Sequence, residues 1–305
     1  MRIVRLPVGV LLPAVLILAC APSKPRPPDE VMSPEQLEQY VQSLIDGGDP
    51  PGISLLIVDD SGPVYQRGFG WADEPRKRKA TPDTVYQWWS ITKILTAVSV
   101  LQLAERGQLQ LDAPVAQYLD FFEPEHSEEH EPATVRQLLS HSACLDDVGM
   151  KIIGWVHFRA EENVPQLRFA EDKLREHGKI VCEPGSEGRY TNLGYVVLAA
   201  LIEKQSGQRY EDYVRAHIFE PLGMKLSDFV YTVAMAKHEA AGSHPKNLMS
   251  WFVFKFFLPE QEATRALVDD RYGFRHLYSD EKGSTGAIGS AVDLGRFATA
   301  LLRGG

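Results

Sequence analysis

Trp89-Ser90-Ile91-Thr92-Lys93 runs straight into an apolar stripe, Ile94, Leu95, Val98, Leu101 and Leu103, that closes at Gly107. This spacing predicts a helix over 91–106 with Ser90 at its first position. A hydroxyl and an amine three residues apart share one face of such a helix. The positive end of the helix dipole falls at Ser90 and favours negative charge developing there. A serine hydroxyl is a poor nucleophile at neutral pH and needs a base within hydrogen-bond reach. A desolvated lysine can lose its proton and serve. The tetrapeptide alone is a weak signal, because a capping serine followed by an exposed lysine has the same letters.

Upstream, Ser33-Pro34-Glu35 opens a helix that carries Leu37, Tyr40, Val41 and Leu44 on one face and stops at Gly47-Gly48. The β-branched run Ile53 to Val58, the turn Asp59-Asp60-Ser61-Gly62 and Val64 to Arg67 read as a hairpin. Downstream, 135–139 is a short helix. The segment 193–205 is apolar almost all round and so is expected to be buried. Helices are also expected at 211–219 and 293–302, leaving the chain helix-rich with strands at the front only. Tyr190-Thr191-Asn192 lies between Pro184-Gly185 and the buried helix. A phenol near a lysine can shuttle protons, and an asparagine amide can orient both the lysine and a substrate. The plainer readings are an interface aromatic for Tyr190 and a helix N-cap for Asn192.

These blocks together resemble the serine β-lactamase and penicillin-binding-protein family. The likeness is to the class C β-lactamase branch, in which a tyrosine motif replaces S-D-N beside S-x-x-K. That branch also holds D-alanyl-D-alanine carboxypeptidases and esterases. The likeness rests on Pro51-Gly52-Ile53, Gly68-Phe69-Gly70-Trp71-Ala72-Asp73 and Trp89 to Lys93, then on Gly107-Gln108-Leu109-Gln110-Leu111-Asp112-Ala113-Pro114-Val115. It continues through Val135 to Ser142, Tyr190-Thr191-Asn192, and Gly286-Ala287-Ile288 before Asp293 to Phe297. So many blocks in one order are specific, where no single motif is.

The resemblance implies an α/β (α+β) fold: an antiparallel sheet flanked by helices, with a mostly helical region holding the site. It implies that Ser90 attacks a carbonyl to form an acyl-enzyme and that Lys93 and Tyr190 share proton transfer. Asn192 would hold a substrate amide, and the Ser90 N–H would give half an oxyanion hole. His141 falls in a block that is structural in this family. Substrates would be a β-lactam, a D-alanyl peptide or a carboxylic ester, with no cofactor and no metal. The rival reading is a non-catalytic envelope lipoprotein that uses the same fold to bind peptidoglycan or a protein partner.

One block is missing. The family's third motif, K-T-G or H-x-G on a β-strand, supplies a cation for the substrate carboxylate and a second oxyanion donor. Lys282-Gly283-Ser284-Thr285-Gly286 has similar letters but aligns with the loop before the closing helix, and His177-Gly178-Lys179 precedes Tyr190. The expectation is a domain incomplete at its C-terminus, supplying two of five sheet strands. Another polypeptide could then complete the sheet, since a lone hairpin is marginal and its edge open.

The chain has 305 residues, 44% hydrophobic and 24% charged, with net charge −9, an ordinary globular composition whose acidity argues against nucleic acid. The basic run Arg76 to Lys79 reads as a solvated loop. Residues 1–19 read as a lipoprotein signal peptide. Arg2 and Arg5 precede an apolar stretch too short to span a bilayer, and Ile17-Leu18-Ala19-Cys20 resembles a lipobox with Cys20 as the lipidated thiol. Residues 20–32 form a proline-rich tether and 33–305 the hydrolase-like domain. The expected location is the periplasm-facing bacterial envelope, with a lipid anchor on the membrane; the alternative is a plain secretory signal and a secreted chain, if Cys20 is not lipidated.

In that oxidising compartment Cys144 and Cys182 could pair, but they are read first as two small buried hydrophobes. His126-Ser127-Glu128-Glu129-His130 fits a zinc pattern, yet it lies between Pro124 and Pro132 without an apolar stripe and reads as an acidic loop. The aromatic run 248–258 reads as a buried segment, with a flap over the site or a surface resting on lipid as the alternatives.

Overall fold

Ser33 starts the first helix, α1 (Pro34–Asp46), by capping the Gln36 N–H at 3.3 Å, while Gln36 Oε1 accepts the Ser33 N–H at 2.8 Å. The computed structural model describes residues 32–48, 50–149, 154–158, 164–256, 260–265 and 271–304. Cys20, the leader and most of the tether lie outside them. Two units are resolved, Met1–Pro50 with α1 and Pro51–Gly305 with everything that follows.

The hairpin forms as expected. β1 (Gly52–Asp59) pairs antiparallel with β2 (Gly62–Asp73), from Gly52↔Gly70 to Asp59↔Gly62. Its turn is held by Asp59 Oδ1, which accepts the Ser61 and Gly62 N–H groups at 2.8 and 3.1 Å, and Gly62 takes φ 129°, closed to residues with a Cβ. The two-residue β3 (Arg78–Lys79) adds to β2, so the sheet has three strands rather than the two expected.

Next come β4 (Val85–Gln87), α2 (Thr92–Glu105), α3 (Val135–Leu139), β5 (Val156–His157) and α4 (Gln166–His177). They are followed by α5 (Asn192–Ser206) and by α6 (Tyr210–Val214), which runs into a π turn, Arg215–Phe219. Then come β6 (Ser243–Pro245), α7 (Leu248–Phe256), α8 (Glu260–Ala263), β7 (Thr264–Arg265), β8 (Arg271–Phe274) and β9 (Tyr278–Ser279). The last elements are α9 (Lys282–Thr285), β10 (Ile288–Ser290) and α10 (Ala291–Leu302).

The reading that strands occur only at the front is corrected: β10 pairs β4, β9 pairs β5, and β6, β8 and β7 form a small antiparallel sheet. Runs of two to four residues are too short to show a period-two alternation, so they leave no mark in the sequence.

The core is built on α5, whose Leu193, Val196, Leu198, Leu201 and Ile202 are fully buried, each adding about 1.5–3 kcal/mol relative to exposure. This helix packs against α2, α4 and α9. A Cβ on Gly283 of α9 would lie 2.5 Å from Ala199 Cβ and 2.7 Å from the Tyr195 carbonyl, so only glycine lets α9 press this close to α5.

Two further expectations are corrected. Cys144 and Cys182 form a disulfide, with Cα atoms 5.3 Å apart, a separation that the fold alone creates. The aromatic run is not buried. Phe254 of α7 packs on Tyr272 and Phe274 of β8, but Leu248 is 79% and Phe256 59% exposed, with Trp251 and Phe252 also facing outward. A helix apolar all round can hide only the face its support covers; Phe257 and Leu258 lie outside the described residues. No helix among the described residues is long and apolar enough to cross a membrane.

Candidate active site

The chain enters α2 through one 3-10 turn, Trp89–Ile91, with Trp89 held in the left-handed region at φ 47°. Ser90 is exposed in this turn and caps neither it nor α2, so the capping alternative is set aside. Lys93, one turn later, is only 6% exposed. Pairing of β10 with β4, with Trp88 N–H on the Ala287 carbonyl at 2.9 Å and Ala287 N–H on Thr92 Oγ1 at 3.0 Å, draws the 281–290 stretch against the same turn.

Tyr190 and Asn192 arrive from the start of α5. The N-cap there is Thr191, whose Oγ1 accepts the Leu193 N–H at 3.2 Å, so Asn192 is the first helical residue and its side chain is free for another task. Asn192 Oδ1 takes Lys93 Nζ at 2.6 Å. The Tyr190 hydroxyl lies 2.8 Å from Ser90 Oγ, and Lys93 Nζ lies 3.3 Å from the same oxygen. The structure therefore brings Ser90, Lys93, Tyr190 and Asn192 together, across about a hundred residues of sequence.

Sequence reasoning missed a third hydrogen-bond partner of Lys93. The Ser284 carbonyl accepts Lys93 Nζ at 3.0 Å. Asn192 Oδ1 and Ser284 O can only accept, so they fix two of the lysine's protons and leave its third position facing Ser90 Oγ. An ammonium would donate there; an amine would turn its lone pair to the serine proton. The residues around Ser284 carry letters similar to K-T-G, but Lys282 does not face the site: its Nζ is buried 3.3 Å from Glu211 Oε1.

His141 sits behind the tyrosine. Its ring lies 4.5 Å from the Tyr190 ring and 4.9 Å from Tyr195, and its Nδ1 accepts the Thr191 N–H at 3.3 Å. Burial, then the charge of Lys93, lowers its pKa and keeps the imidazole neutral. This suits a support for Tyr190. The disulfide braces the same region. Cys144 O accepts the Val181 N–H at 3.0 Å, Ser142 O the Gly185 N–H at 2.7 Å, and His141 O the Arg189 N–H at 2.7 Å. The His126–His130 stretch forms a single 3-10 turn, and its two imidazoles go to different carboxylates, Glu129 at 2.9 Å and Glu183 at 3.0 Å.

The profile of the Beta-lactamase family matches residues 37–305. Protein flp of Staphylococcus aureus (strain MW2) is 29% identical over 210 residues, which is 69% of this chain and 41% of that protein. Among solved structures, the octameric penicillin-binding protein homologue from Pyrococcus abyssi superposes with a TM-score of 0.65 at 29% identity, covering 88% of this chain and 56% of that one. The β-lactamase/D-alanine carboxypeptidase from Yersinia pestis shares the fold at a TM-score of 0.62 and 21% identity, over 86% of this chain and 66% of that one. This chain thus spans well under two thirds of the length of the curated relative it matches. A family profile across most of the chain, on a mixed α/β fold that superposes on these structures, leads to one conclusion: the chain belongs to the Beta-lactamase family.

Proposed function

We propose that this chain is a serine hydrolase that works through an acyl-enzyme on Ser90. One observation carries the reading. Ser90 Oγ lies within 3.3 Å of both a phenol oxygen and a buried lysine nitrogen, so the lysine in its free-amine form could take its proton, directly or by way of the phenol. Ser90 Oγ would add to a substrate carbonyl as its single proton passes to the Lys93 amine, directly or through the Tyr190 hydroxyl, which would hand on its own proton as it takes the serine's. The tetrahedral species would collapse to the Ser90 ester, and the leaving group would depart with that proton. Water, activated by the same pair, would then release the acid and restore the Ser90 hydroxyl. Asn192 would position Lys93 and a substrate amide, and the Ser90 N–H would serve the oxyanion. The substrate class is an activated or D-amino-acyl carbonyl: a β-lactam, a D-alanyl peptide or a carboxylic ester. The names of the Pyrococcus and Yersinia proteins support the β-lactam and D-alanyl part of that range. Attachment through Cys20 to the periplasmic face of a bacterial membrane belongs to the same proposal and rests on the leader sequence.

The test is covalent labelling with a fluorescent penicillin or a fluorophosphonate, the adduct located by peptide mass spectrometry. The expected adduct is on Ser90. A folded chain that takes up neither probe would refute the hydrolase reading and favour a binding role in the envelope.

A further inference from the structure

Next to the Ser284 carbonyl that holds Lys93 lies a titratable group that the acylation chemistry does not use. Glu281, 1% exposed, stands at the entrance to α9. Its Oε2 accepts the Ser284 hydroxyl at 2.6 Å and its Oε1 the Thr285 hydroxyl at 3.0 Å; Thr285 Oγ1 is itself 3.0 Å from Ser279 Oγ. The Glu281 carbonyl accepts the Ser284 and Thr285 N–H groups at 3.0 and 3.2 Å. The whole turn is thus tied to one carboxyl, and Gly283 within it packs so closely on α5 that a Cβ there would clash with Ala199 and Tyr195.

Ser284 joins this carboxyl to the site: its carbonyl holds Lys93 Nζ and its hydroxyl donates to Glu281. Among the described residues, the charges acting on Glu281 are Lys93 from α2 and Asp147 from the loop after Cys144. Its neighbours in sequence are engaged elsewhere, Lys282 with Glu211 at 3.3 Å and Asp280 with His157 at 3.4 Å. From α5, Asn192 is uncharged. Tyr195 is neutral, with its hydroxyl on the Leu139 carbonyl at 2.9 Å.

Resting on the acyl-enzyme reading, we propose that Glu281 is a positioning residue for Lys93: it fixes the Ser284 carbonyl that receives the lysine, and its carboxylate is the buried counter-charge that keeps a proton on it. A nearby carboxylate favours the ammonium, whereas a neutral group in its place favours the free amine that Ser90 needs. Burial first, opposed by the two hydroxyls and Lys93, pushes Glu281 up to about 7, so the counter-charge itself switches near neutrality. A purely structural role would change rate and stability at every pH alike. The counter-charge role moves the pH at which the site becomes active.

The experiment measures fluorophosphonate labelling of Ser90 from pH 5 to 10 in the full chain. In parallel, lysine labelled with ¹³C at Cε reports Lys93 by NMR, its signal identified by its loss in Lys93→Gln. In Glu281→Gln both the acid limb of labelling and the Lys93 titration are expected to move down by about one pH unit. Ser284→Ala removes a donor that stabilises the ionised Glu281 and is expected to move both the same way by less. A folded Glu281→Gln whose Lys93 signal titrates where the wild type does would overturn the proposal. If that variant does not fold, an unmoved signal in Ser284→Ala does the same. Should wild-type Ser90 resist the probe at every pH, the hydrolase reading falls, and the Lys93 signal still decides the role of Glu281.

Discussion

The Tyr190 hydroxyl is 2.8 Å from Ser90 Oγ, half an ångström closer than Lys93 Nζ. The phenol therefore has the shorter path for the serine proton. Tyr190→Phe keeps the ring on His141 and removes only that path. Acylation is expected to fall by roughly 10²–10⁴, with substrate binding nearly unchanged. Pre-steady-state labelling measures this, and a loss below about tenfold would assign the proton to Lys93 alone.

Lys93 is buried and held by two carbonyl acceptors besides Ser90. Lys93→Arg should not rescue Lys93→Ala, because a planar guanidinium cannot fit a site shaped for one point charge. Both variants are expected to lose at least ~10³ in labelling rate. Recovery of near wild-type rate by arginine would mean that charge, rather than proton transfer, is what the position supplies.

The Cys144–Cys182 bridge closes a loop across 38 residues, for which chain entropy predicts about 3–4 kcal/mol of stabilisation. It also braces the irregular segment that delivers Tyr190. The Cys144→Ser/Cys182→Ser chain should melt at lower temperature and label more slowly. Thermal melts with and without reductant check this; equal melting of the oxidised and reduced wild type would show that the bridge contributes nothing.

Glu281 gives a stability profile with a defined sign. Its folded pKa, about 7, is raised from the usual 4.5, so the folded chain holds this proton more tightly than the unfolded chain does. That contribution is complete below about 4.5 and is lost as pH rises through about 7, for a cost of ~3 kcal/mol. Glu281→Gln has no such proton to lose, so its melting temperature should fall less than that of the wild type between pH 5 and 8. Parallel curves for the two proteins would contradict the assignment.

The outward face of α7 sets Leu248, Trp251, Phe252 and Phe256 in solvent. Contiguous aromatic exposure of this kind promotes association. Trp251→Ser/Phe252→Ser/Phe256→Ser is expected to reduce light scattering at high concentration and to leave the melting temperature within a few degrees of wild type, since none of the three side chains is buried. A large drop in melting temperature would show that the face is packed after all.

Much of the site was legible because its parts follow local rules. Ser90 and Lys93 share a helical face by spacing, Gly62 marks the hairpin turn, and the apolar run after Asn192 reads as a buried helix. The short strands, the exposure of α7 and the disulfide were not legible. Two-residue pairings have no period, a helix apolar all round does not say which face is covered, and a Cα separation of 5.3 Å exists only after the loops fold.

The sequence by itself offered a hydroxyl, an amine, a phenol and an amide as candidates, and it was the order of the surrounding blocks, rather than any one motif, that singled them out. The tertiary structure decided what those groups feel. It set the Ser284 carbonyl on Lys93 and the Glu281 carboxyl behind it, because desolvation and charge–charge coupling depend on distances between chain segments nearly two hundred residues apart.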